Sequence, residues 1–178
     1  AAIGVGAALG AGYLGRRVLQ AGAAVEETSS KFATVFGEAE KEVQGFIDSF
    51  ANMAGLSSRE AQDITSTIGA VAQGMGYAQA ESAKFAQEIT RLSGDLSSFN
   101  NIPIQETSHA IIAALTGERE QLKRLGIVIK ETDVQQRAMA DSGKANAKAL
   151  TQQEKAAATM ALITERAGVA VGDLERTS

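Results

Sequence analysis

Histidine and cysteine supply much of the metal and nucleophile chemistry in proteins, and this 178-residue chain has one histidine and no cysteine. His109 stands between Ser108 and Ala110 in a stretch that reads as mid-helix. A zinc centre built on it would have to be mostly carboxylate, which is unusual, so His109 reads as a surface side chain. The carboxylates sit beside lysine and arginine at helix-surface spacings, as in Glu118, Glu120 and Lys123. Such pairs add about 0.3 kcal/mol to a helix and need no active site. Glycoside hydrolysis would need two carboxylates in unlike environments across a cleft, and no such pair stands out. No serine lies in a G-x-S-x-G turn. The early glycines follow no strand and precede no phosphate-loop lysine. No catalytic residue, cofactor or metal is expected.

The pattern that does carry physics is made of small residues. The opening AAIGVGAALGAGYLG has no charge and five glycines, and Arg16-Arg17 follow it. Gly6 and Gly10 are four apart, as are Ala8 and Gly12, and Ala11 and Gly15. Small residues at that step let helix backbones approach closely, which is how apolar helices associate in a bilayer. Fifteen residues span only about 22 Å as helix, against a hydrocarbon core of about 30 Å. Three readings stay open for residues 1–25: a membrane-capable segment, close packing against copies of itself, or a loop. A basic pair after the apolar run, not before it, argues against a signal peptide. The membrane reading expects a peptide of residues 1–25 to gain helicity with lipid and to release dye from liposomes. A peptide doing neither would exclude it.

Nearly everything after this run reads as helix. Val18, Val25, Phe32, Ala39, Phe46 and Met53 recur at seven-residue steps, and Phe36, Val43 and Phe50 fill a second track four residues on. That is one apolar stripe at helical spacing, predicting a helix over residues 16–54 about 58 Å long. Gly37 and Gly45 each weaken it by about 1 kcal/mol relative to alanine. The stripe is either covered by the chain's own later helices or serves as a seam between copies; phenylalanine at seam positions suits packing bulkier than a simple dimer.

Gly55 is placed to end that helix, and Ser57-Ser58-Arg59-Glu60 fits a capping box. Ile64, Ile68, Val71 and Met75 give the next helix its face. A third runs over about residues 79–99 with Phe85, Ile89, Leu92, Leu96 and Phe99 inward, until Asn100-Asn101-Ile102-Pro103 breaks it. Short helices follow over residues 104–115 and 118–125. Ile127-Val128-Ile129 is the one β-like run, too short to promise a sheet. A helix from Thr132 or Asp133 to Met139 ends at the Asp141-Ser142-Gly143 turn. Thr151-Gln152-Gln153-Glu154 is a second capping box, opening a helix to Arg166 through Ala157, Met160 and Ile163. Gly55-Leu56 before Glu60 is echoed by Gly76-Tyr77 before Glu81, twenty-one residues later, as two similar helix starts. The fold class is therefore all-α: a long N-terminal helix, then several shorter ones joined by Gly/Ser/Pro turns, elongated or bundle-like.

Net charge is −4, with 17 basic and 21 acidic residues interspersed, which leaves no footprint for nucleic acid. Hydrophobic residues make up 44% of the chain, but alanine carries much of that share and buries little area per residue.

Five segments, in order, resemble the shared region of tape measure proteins of long-tailed bacteriophages and prophages. They are EETSSKFATVF (26–36), LSGDLSSFN (92–100), ALTGEREQLKRLGI (114–127), LTQQEKA (150–156) and GDLERT (172–177). The likeness spans residues 26–178; residues 1–25 match only in being apolar and small. It implies a long, mostly helical homo-oligomer, trimeric or hexameric, in the lumen of the tail tube, beside tail tube and tail tip proteins. Its length would set how many tube rings stack, and it would leave ahead of the DNA, with apolar stretches helping to form a passage through the host envelope. The protein would be made in the host cytoplasm and carried in the virion. A helix converts sequence length to distance at about 1.5 Å per residue, so this chain reaches at most about 270 Å, and the resemblance implies a segment of something longer. Two other classes stay in view: a membrane-active pore-forming or toxin-like helical protein, and a helical enzyme with a carboxylate pair.

Overall fold

The computed structural model describes residues 26–178. The predicted positions Val18 and Val25, and Gly6, Gly10, Gly12 and Gly15, lie outside the described residues. Residues 26–36 form helix α1, and the stripe then meets a break that its periodicity does not announce. Gly37 takes φ +49° and opens a 3-10 turn, Gly37–Ala39, before α2 resumes at Glu40–Ala54. The break is held from a distance. The side-chain amides of Gln73 and Gln79 both donate to the carbonyl of Val35, at 2.6 and 3.2 Å, so a carbonyl at the end of α1 finds partners outside its own helix. The Gln79 amide also fills the space where a side chain at position 37 would stand, 2.6 Å from an ideal Cβ. The helix expected over residues 16–54 is thus matched in part, over residues 26–54, with a 3-10 turn dividing it in two.

The remaining helices are α3 (Ser58–Gly74), α4 (Gln79–Asn100), α5 (Ile104–Thr116), α6 (Glu131–Ser142), α7 (Gln152–Ala167) and α8 (Asp173–Thr177). Among the described residues there is no strand; the fold is all-α. Both predicted capping boxes form: Ser57 Oγ accepts from the Glu60 amide while Glu60 accepts from the Ser57 amide, and Thr151 and Glu154 do the same. The two helix starts that echo each other match in three dimensions, Glu81 accepting from the Ala78 amide as Glu60 does from Ser57, and the helix ends before them match as well. Leu56 N–H reaches back to Ala51 O and Tyr77 N–H to Ala72 O, each closing a helix by the same 6→1 bond.

α4 is the axis on which the others pack: α2, α3, α5, α7 and α8 all touch it. Its buried positions are largely small (Ser82, Ala83, Ala86, Thr90, Ser93, Gly94), which lets neighbours come close. Hydroxyls inside the bundle are satisfied locally: Ser93 donates to Ile89 O, and Thr90 bonds Thr65, which donates to Ala61 O. The large side chains between helices are Phe32, Phe36, Ile47, Phe50, Ile68, Ile89, Leu96 and Ile111 on one side and Leu122, Ile127 and Ile163 towards the C-terminal helices.

Several expectations shift. Phe99, expected inward, is 51% exposed; at the end of α4 the packed side carries Ser97 and Ser98, bonded to Ile102 O and to Asp173. Residues 120–125 form a 3-10 rather than an α-helix, being a short run between Gly117 and Gly126. Ile127-Val128-Ile129 joins no strand: Ile127 and Ile129 are buried and Val128 is exposed. Ala157 is exposed, and the buried face of α7 runs through Ala156, Thr159 and Ile163.

Gly45 lies inside α2 with nothing within 4 Å of an ideal Cβ. Gly45→Ala is expected to stabilise the chain by about 1 kcal/mol, raising the melting temperature by about 3 °C on a calorimetric scan. An unchanged melting temperature would show that this face of α2 is not open.

Candidate functional site

The predicted seam residues come first. Phe32, Phe36, Val43 and Phe50 are buried in the chain's own core, none more than 2% exposed. Phe32 and Phe36 pack edge to face at 5.0 Å, and Phe46 and Phe50 stack at 5.5 Å. Phe46 and Met53 are half-buried on the edge of a cleft, with the Arg91 guanidinium 5.4 Å from the Phe46 ring. The face offered as a seam between copies is therefore already occupied by α3 and α4, which bury those four residues within the chain. His109 is exposed on α5, and Glu120 pairs with Lys123 at 2.7 Å on the surface. Among the described residues no group of three histidine, cysteine or carboxylate side chains is placed to hold a metal.

The structure instead brings together two segments that sequence spacing leaves unrelated: residues 92–100 of α4 and residues 172–177. Asp95 is only 4% exposed, a carboxylate otherwise costly to bury. It is satisfied by the backbone: the amides of Gly172 and Leu174 donate to its two oxygens at 2.8 and 3.2 Å. One helical turn on, Ser98 donates to Asp173 at 2.8 Å and shares a hydrogen bond with Thr177 at 2.9 Å. Gly94 makes room for the apolar anchor of this clasp. A Cβ there would stand 2.8 Å from Leu174 Cδ2 and 2.9 Å from Phe50 Cε2, so only glycine lets Leu174 seat between α4 and α2. Leu174 divides an open cleft: on one side a groove of about 600 Å³ lined by Ala54, Leu56, Ile102 and Ile104, on the other about 130 Å³ lined by Phe46, Met53 and Arg91. The readable signal was Ser93-Gly94-Asp95 on the buried face of a helix. What it would bind lay 77 residues away.

Residues 114–127 form a second junction. Leu122, Leu125 and Ile127 are buried there, while charged side chains tie the neighbouring helices: Arg119 to Glu131 at 2.8 Å, Arg124 to Glu106 at 3.0 Å, and Arg166 to Asp133 at 2.8 Å and to the Val128 carbonyl. Residues 150–156 join the same body, where Tyr77 Oη donates to Gln153 O at 3.2 Å and Lys144 pairs with Glu154 at 2.8 Å. These groups position helices.

Three carboxylates at helix starts are held below their ordinary pKa. The Ser57 hydroxyl and amide lower Glu60, the Lys144 ammonium and Thr151 amide lower Glu154, and the Arg166 guanidinium and Lys130 amide lower Asp133. A folded-state pKa below the unfolded value gives stability that is whole above the unfolded value, about 4, and is lost as pH falls through the folded one. The melting temperature is expected to hold from pH 7 to about pH 5 and to drop below it, the drop shrinking in Glu60→Gln/Glu154→Gln. An equal drop in that variant would remove these two groups as its cause.

Comparison of the chain with protein-family models, with curated proteins and with solved structures finds no match.

Proposed function

We propose that the chain is part of a tape measure protein of a long-tailed phage or prophage, a non-enzymatic structural component of the tail. What carries the reading is the convergence of the resembling segments. Residues 92–100 and 172–177 clasp one another through Asp95 and Ser98, and residues 150–156 bond α3's end through Tyr77. Pieces that resemble one family in order are thus also pieces of one packed unit.

The unit changes how the ruler idea applies to this chain. α4, at 22 residues, reaches only about 33 Å, and the helices fold back on one another. On this reading residues 26–178 are a folded knot within the tube, and the length-setting reach belongs to other parts of a longer protein. Copies would sit as a trimer or hexamer beside tail tube and tail tip proteins, in the virion and earlier in the host cytoplasm. Residues 1–25 would be the stretch offered to the host envelope; no described helix is long and apolar enough to cross a membrane.

Tails purified from the particle whose genome encodes this chain are expected to contain it by mass spectrometry. An in-frame second copy of residues 26–178 should lengthen them by far less than the roughly 230 Å that the same residues would span as one straight helix. Tails lacking the chain, or lengthened by the full helical span, would overturn the proposal.

A further inference from the structure

The two halves of the clasp are unequal. The receiving half is built on long helices: the Gly94 notch, the Phe50 wall and the Asp95 carboxylate belong to α4 and α2. The inserted half, α8, has five residues, too few to stand as a helix alone. It is held by what receives it, through one apolar anchor, Leu174, and a few polar bonds. It is also reached through a short joint. Gly168 (φ +53°, ψ −114°) and Gly172 (φ +78°) bracket Val169, Ala170 and Val171. Val169 is 76% exposed and Val171 41%. β-Branched side chains suit an extended, paired backbone, yet here they lie open around a 3-10 turn. The turn is fastened by Arg176, which donates to the carbonyls of Val169 and Val171 at 2.8 and 3.0 Å. If residues 168–172 open from the 3-10 turn to extended backbone, the five-residue linker reaches at most about 16 Å from the end of α7.

We propose that α8 is an exchangeable strap: α8 of one copy seats in the α2–α4 groove of a second copy, and the second copy returns its own. Each groove would receive the same groups it receives now, with Leu174 over Gly94, the amides of residues 172 and 174 on Asp95, and Asp173 and Thr177 on Ser98. Exchange therefore gains and loses nothing at the clasp, and the balance is set by concentration and by the joint. The new surface lies at the joint, where the two linkers run side by side and the exposed Val169 and Val171 pair. The inference rests on the clasp and its joint and is independent of the proposed function.

Ser98 Oγ and Thr177 Oγ1 stand 2.9 Å apart, which makes a direct test. A chain carrying Ser98→Cys is mixed with one carrying Thr177→Cys, held concentrated, and oxidised gently. The expected product is a mixed disulfide between chains, several-fold above either like-with-like disulfide, and reduced at least tenfold in a Leu174→Asp background. Sedimentation of the unsubstituted chain should show a slowly forming dimer that Val169→Asp/Val171→Asp depletes without lowering the melting temperature. Three results would overturn the proposal: a disulfide confined to one chain in the double-cysteine variant with none between mixed chains, a mixed disulfide indifferent to Leu174→Asp, or a chain that stays monomeric when concentrated.

Discussion

Phe36→Glu is expected to abolish cooperative unfolding altogether. Phe36 is fully buried, edge to face with Phe32 and against Gly69 of α3. Removing a buried phenylalanine ring costs about 3–5 kcal/mol by truncation alone. Glutamate adds the cost of burying a carboxylate, against a total stability for such domains of about 5–15 kcal/mol. The variant should lose its sharp thermal transition and much of its helical circular dichroism. Phe46→Glu is the matched control. Its side chain lies half-buried at the edge of a cleft, so it should stay folded and lose only about 1 kcal/mol. A stripe serving as a seam between copies predicts a different pair of results, with both variants folded and both monomeric. A Phe36→Glu chain that melts cooperatively would return the stripe to that use.

That contrast marks where the sequence is legible. Helix starts are local chemistry: a serine or threonine and a glutamate three residues on are enough to place Ser57–Glu60 and Thr151–Glu154, because both partners lie in one turn. The stripe is legible for the same reason, since periodicity fixes which face is apolar. It does not say what covers that face. Phe32, Phe36, Val43 and Phe50 would look the same on a seam between copies as they do beneath α3 and α4. The break at Gly37 is hidden for a related reason. One glycine inside a helix costs about 1 kcal/mol and is often tolerated; what decides it is Val35's carbonyl meeting Gln73 and Gln79 from elsewhere in the chain. Asp95 is the sharpest case. In sequence it is one acidic residue among many on a helix, and only the fold supplies the amides that let it be buried.

Gly69 tests the same packing from the opposite side. It lies inside α3, where alanine or leucine is the better helix former by about 1 kcal/mol. Yet a Cβ there would stand 2.7 Å from Phe36 Cε1 and 2.9 Å from Val35 Cγ1, and a fully buried ring has nowhere to retreat. Overpacking a filled core typically costs about 1–3 kcal/mol, so contact outweighs propensity, and Gly69→Leu is expected to reach the upper end of that range. Phe36→Ala opens a hole in the same place at about 3–5 kcal/mol. If the two effects were independent, the double variant would lose about 6–8 kcal/mol and sit near unfolding. Because the leucine would enter the space the ring leaves, Gly69→Leu/Phe36→Ala should instead be at least as stable as Phe36→Ala alone, which requires a coupling of about 3 kcal/mol or more in a urea double-mutant cycle. Simple additivity in that cycle would mean that α1 and α3 do not meet at this point, and the placement of α1 on the bundle would have to be abandoned.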